Sequence, residues 1–214
     1  MNPTMRVLAL PVALAGVLTV SACGGTDPGS HDMSNHSSTA TAAATGGTTA
    51  SGTPAAGAHN DADVAFATGM IPHHGQALTM ADLALKSAGN AQVKALAEQV
   101  KDAQDPEIRQ MSGWLRGWGE PVPEAQGMNH DAGMHGEGMM SVEEMDALGK
   151  ATGATFDGMW LTMMIRHHEG AVAAARTELA AGSNTESKAL AQAIIDGQTK
   201  EIATMKGLQA QLSG

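Results

Sequence analysis

The chain has 214 residues and a mass of 21.8 kDa, with 12 Lys+Arg against 22 Asp+Glu and a net charge of −10. An acidic chain does not hold phosphate backbones by charge, and 2% aromatics without Tyr offer no stacking platform, so no nucleic-acid partner is expected. The same shortage of aromatics argues against a β-sandwich or barrel, and one Cys excludes an intrachain disulfide framework and a Cys-based zinc site. The surplus is 15 Met and 9 His.

In chain order, Arg6 precedes an apolar run over 7–20 and the small residues Ser21 and Ala22. A positive start, an apolar stretch too short to span comfortably and small residues before a cleavage point mark residues 1–22 as a signal peptide. Val20-Ser21-Ala22-Cys23 is similar to a bacterial lipobox, which predicts a lipidated Cys23. The expected location is the extracytoplasmic face of the cell membrane, with the lipid anchor as the membrane contact. Residues 23–58, rich in Gly, Ser, Thr and Ala without apolar periodicity, read as a disordered tether that carries His31, Met33 and His36.

The folded domain, 59–214, is one motif written twice. Shifting the chain by 94 residues aligns 63–111 with 157–205 without a gap, and nineteen of the forty-nine pairs are identical. Met70-Ile71-Pro72-His73-His74 answers Met164-Ile165-Arg166-His167-His168, and Gln104, Glu107, Ile108 and Met111 answer Gln198, Glu201, Ile202 and Met205. Repeats of this length are supersecondary units. Each reads as a helical hairpin. Phe66, Met70, His74, Ala77, Ala81 and Leu85 form one stripe, and Leu96, Val100, Gln104, Ile108, Met111 and Leu115 the next. In the second unit the stripes are Trp160, Met164, His168, Ala171 and Leu179, then Leu190, Ile194, Gln198, Ile202, Met205 and Leu212.

Gly89-Asn90 and Asn184 supply the restarts. Four helices, each ~38 Å long at ~1.5 Å per residue, predict an all-α antiparallel four-helix bundle with pseudo-twofold symmetry. Pro106 is expected to kink the second helix near Asp102 or to begin a separate helix. Between the hairpins, about 117–154, lies a Met/His-rich linker in which Ser141-Val142-Glu143-Glu144 reads as a capping box.

The chemistry falls on the inward faces. His74 and His168 sit mid-stripe, His73 and His167 flank them, and Met70 and Met164 lie one turn earlier on the same side. Imidazole with thioether and no carboxylate suits copper, Cu(I) especially. Neutral imidazole is the ligating form, so binding is expected to weaken below a His pKa of ~6.5. Gln104 and Gln198 occupy core positions from which an amide could fix a histidine tautomer; Glu107 and Glu201, one turn on, could do the same or ligate directly. In the linker, Met128, His130, Met134 and His135, together with His31, Met33 and His36 of the tether, suggest secondary soft-metal sites, while Met139 and Met140 lie where no core needs filling.

The repeated Met-Ile-x-His-His, each followed by Gln-x-x-Glu-Ile-x-x-Met, resembles the bacterial "domain of unknown function" family numbered 305 over about 61–212. The resemblance implies a ferritin-like four-helix bundle exported to the envelope, tied in some members to copper binding and resistance. Carried over by position, it points to Met70, His73, His74, Met164, His167 and His168. Gly75-Gln76 stands where the family more often has Gln-Gly.

The expected function is copper binding by an exported lipoprotein, for sequestration, resistance or hand-over, with no enzymatic activity and no protein partner identified. A ferritin-like metal-dependent oxidase competes with it, but di-iron chemistry wants Glu-x-x-His and both helices carry Met-x-x-His instead. The other competitor is a structural or protein-binding lipoprotein.

Overall fold

The computed structural model describes residues 57–125 and 136–212. The expected signal peptide, Cys23, most of the tether with His31, Met33 and His36, and Met128, His130, Met134 and His135 of the linker lie outside the described residues. The described fold is all-α: α1 Asp61–Ser87, α2 Ala91–Trp118, α3 Val142–Lys150, α4 Gly153–Ala181 and α5 Thr185–Leu212. Helices α1 and α2 form one hairpin and α4 and α5 the other, and the hairpins meet mainly through α1 and α4.

Local chemistry sets the helix starts. Asn60 and Asp63 close a capping box on α1, and Ser141 and Glu144 close the expected one on α3. The Asn90 side chain accepts from the Gln92 amide, and Asn184 accepts from the Glu186 and Ser187 amides. The expected separate helix at Pro106 does not form. Both Pro72 and Pro106 lie within continuous helices, because the apolar stripe on each side of the proline is worth more than the one backbone bond it removes.

Asp63 and Asp157 lock the hairpins to each other. Buried Asp63 of α1 accepts from the Ser183 and Asn184 amides (3.1 and 2.9 Å) in the α4–α5 turn. Its repeat counterpart, Asp157 of α4, accepts from the Gly89 and Asn90 amides (3.0 and 2.9 Å) in the α1–α2 turn. Each hairpin therefore caps the other's turn, related by the same offset as the sequence repeat. Identity at 63 and 157 was visible in the sequence, but its reason lies in this exchange.

The apolar core has two halves. One gathers Phe66, Met70, Met111, Trp114, Leu190 and Ile194; the other gathers Met80, Val93, Leu96, Phe156, Trp160, Met164 and Met205. The expected stripes hold at most positions, but Leu85, Leu179 and Ile202 are only half-buried at the edges of the core, and Leu212 is 43% exposed at the end of α5. Met140 is 3% exposed and packs into the second half, so it fills core, and its sulfur accepts from Arg166. Residues 136–140, just ahead of α3, lie against α1 and α4, which gives Met140 a core to enter.

Candidate metal centre

Between the two apolar halves lies a polar layer. Helices α1 and α4 bring four histidines to it: His73 is 5% exposed, and His74, His167 and His168 are 0%. The flanking pair, rather than the mid-stripe pair, meets across the pseudo-twofold: the His73 and His167 rings have centroids 3.8 Å apart. Within each pair the rings stand 6.4 Å (His73–His74) and 6.2 Å (His167–His168) apart. A straight stripe misjudges this because a ~100° step per residue leaves both neighbours able to enter a wide bundle interior.

The mid-stripe pair turns toward its own hairpin. His74 Nε2 lies 2.7 Å from Glu107 Oε2, and His168 Nε2 lies 2.7 Å from Glu201 Oε2. These two contacts span the same sequence separation and are related by the repeat. A carboxylate on one ring nitrogen fixes the ring's orientation and leaves the other nitrogen for a ligand. The glutamate expectation thus has a geometry. The glutamine expectation does not: Gln104 and Gln198 are buried, but neither amide hydrogen-bonds a histidine, and all four amide atoms lack partners.

Unpartnered atoms concentrate in this layer. Nδ1 of all four histidines, Nε2 of His167 and the amides of both glutamines are buried without a hydrogen bond. Buried polar atoms are costly unless they are bonded, so an inward-facing set of bare imidazole nitrogens is a recognisable place for a ligand. Burial lowers His73 to about 3, aided by the neighbouring His74 and opposed by the Glu137 carbonyl. Burial, with His73 beside it, also holds His167 well below its ordinary value. Both rings are therefore neutral, the form that binds metal.

Met70 and Met164 are 2% and 0% exposed, on opposite faces of the layer, one in each apolar half. Among the described residues no group of three or more His, Cys, Asp and Glu side chains is already gathered about one point. The residues still fit a soft ion better than a hard one: the inner donors are imidazole and thioether, and the carboxylates of Glu107 and Glu201 stand behind the histidines.

The sequence reading missed a turn inside the linker, at Gly136–Met139. His73 Nε2 lies 3.3 Å from the carbonyl oxygen of Glu137, and the Gln76 amide makes two bonds to the Met140 backbone, 2.9 and 2.7 Å. The only sequence signal was the displaced Gly75-Gln76 after the first His pair.

A family model described as a domain of unknown function (DUF305) matches residues 63–209. Among curated proteins none matches the chain. A DUF305 protein of Streptomyces coelicolor, provisionally named as secreted, is similar at 29% identity and TM-score 0.64, over 72% of this chain and 94% of its own. A DUF305 fragment from Deinococcus radiodurans is 32% identical with TM-score 0.63, covering 71% of this chain and 97% of its own. CopM in its Cu(II)-bound form is 34% identical with TM-score 0.60, over 70% of this chain and 96% of its own; CopM has also been solved with Cu(I) and with Ag.

Proposed function

The chain belongs to the DUF305 family, and on that premise we propose that it binds copper, Cu(I) above all, in the extracytoplasmic envelope, as a sequestering or hand-over protein rather than an enzyme. The observation that carries this reading is the layer of bare, neutral, buried imidazole nitrogens centred on His73 and His167. The Cu(I)-, Cu(II)- and Ag-bound forms of CopM support it by similarity. Met70 and Met164 supply soft donors at the two faces, and Glu107 and Glu201 orient His74 and His168 from behind. Export rests on the leader sequence and anchoring on Cys23; among the described residues no helix is long and apolar enough to cross a membrane. Against di-iron oxidase chemistry stand Met70 and Met164, three residues before His73 and His167, where that chemistry needs glutamate.

The test is Cu(I) affinity by chelator competition on protein purified without a His tag. His73→Gln combined with His167→Gln should abolish the tight component and leave any weaker linker binding in place. Equal affinities for variant and wild type would sink the core site.

A further inference from the structure

The pseudo-twofold is broken at one point in the polar layer. His73 Nε2 meets a backbone carbonyl, whereas both ring nitrogens of His167 are unpartnered. The carbonyl belongs to a tight turn, Gly136–Met139, closed by a 3.1 Å bond from the Met139 amide to the Gly136 oxygen. Gly138, third in the turn, has φ 87°. A positive φ at the third position of a hydrogen-bonded turn is the conformation that favours glycine, and it sets the orientation of the Glu137–Gly138 peptide, so the glycine decides which way the Glu137 carbonyl faces.

Two close approaches seat the turn on α4. A Cβ at Gly170 would fall 1.8 Å from the Glu137 oxygen, and a Cβ at Gly138 would fall 2.6 Å from the Arg166 oxygen. No side chain fits at either place. On the other side, the Gln76 amide of α1 clasps Met140 through both its oxygen and its nitrogen. The turn is thus held between α1 and α4, over the ring of His73.

We infer that this turn is a positioning device for the metal site, with Gly138, Gly170 and Gln76 as its positioning residues. It holds the proton of His73 on Nε2 and makes the buried Nδ1 the nitrogen that binds the ion. The inference rests on the copper reading for its ligand and on the turn geometry for its choice of nitrogen. A backbone carbonyl accepting from one imidazole N–H is the usual way a ligating histidine is oriented, and losing such a partner costs about 10–100-fold in metal affinity.

The experiment is ¹⁵N NMR of the histidine side chains in the full chain, titrated with Ag(I) as a diamagnetic probe. His73 should carry its proton on Nε2, protected from solvent exchange, and Ag(I) should shift its Nδ1. Gln76→Ala, a change on a half-buried helical position, and Gly138→Ala should both speed exchange of that proton. Both should also weaken Ag(I) binding by about tenfold or more. Far-UV circular dichroism should show either variant still helical, and Gln76→Ala serves if Gly138→Ala does not fold. A shift at His73 Nε2 on adding Ag(I), or wild-type affinity in a folded Gln76→Ala variant, would overturn the inference. If Ag(I) shifts no bundle histidine while the His73 proton is protected on Nε2, the copper reading falls and the choice of ligating nitrogen falls with it. That result is distinct from failure of the turn, which would appear as an unprotected proton before any metal is added.

Discussion

Glu178 is 1% exposed, at a position where the other repeat has Ala84. Burial pushes its carboxyl up to about 7, against the pull of Ser187 and with the Asp63 carboxylate adding to the rise. The folded chain therefore keeps a proton that the unfolded chain releases from about 4.5 upward, so this group's contribution is lost as pH rises through about 7. His73 and His167 have the opposite sign. Their folded values are depressed, so their contribution is complete above the ordinary 6.5 and is lost as pH falls toward about 3 for His73. The difference between wild type and Glu178→Gln isolates the carboxyl. The variant should gain on the order of 1–3 kcal/mol relative to wild type between about pH 5 and 8, since a tenfold change in proton affinity is worth about 1.4 kcal/mol. Parallel melting curves across that range would contradict the burial argument. The same depressed values revise the expectation that copper binding fades below ~6.5: binding through His73 and His167 should persist to about pH 5, which Cu(I) competition at several pH values would show.

At the scale of elements, the exchange of aspartates makes each hairpin depend on the other. Asp63→Ala should raise hydrogen exchange at Ser183 and Asn184, whose amides it accepts, and Asp157→Ala should do so at Gly89 and Asn90. Each should cost roughly 1–3 kcal/mol, because buried amides lose a charged acceptor. Exchange changes confined to the mutated residue's own hairpin would refute the cross-cap. Burial raises Asp63, but amides of Asn184, Asn60 and Ser183 outweigh it and hold the carboxyl at about 2, so its support is lost only as pH falls from 3.8 toward that value. Pro106 is exposed within α2, and Pro106→Ala should restore a helical N–H, stabilise the fold by ~1 kcal/mol or more and so raise the melting temperature. A lower melting temperature would show that the proline's fixed φ contributes more than its missing bond costs.

For the molecule as a whole, the described residues begin at Gly57 and are in contact with the bundle almost at once: the Ala58 carbonyl, at the last position of the expected tether 23–58, accepts from the Asn184 side chain at 3.1 Å. Deleting 24–56 should leave the melting temperature nearly unchanged, while extending the deletion through Asn60 should lower it by removing the α1 cap. Cys23→Ser should move the protein out of the membrane fraction of the producing cell; unchanged fractionation would remove the lipid-anchor proposal.

The duplication, the helical hairpins, the caps at Asn90, Asn184 and Ser141, and the identity of the histidine, methionine and glutamate positions were all legible in the chain. They depend on interactions within a few residues or on a periodicity that repeats at a fixed offset. Which imidazoles meet, however, is a matter of helix rotation, and α1 and α4 pack so that His73 and His167 touch while His74 and His168 turn to Glu107 and Glu201. No local pattern encodes that rotation, because neighbouring residues on a helix compete for the same interior. Nor could local pattern place Glu137 at His73, clasp Met140 by Gln76 or pair Asp63 with the opposite turn, since each joins residues more than sixty positions apart. Residue order determined which polar side chains the helices carry; packing decided which of their atoms face one another.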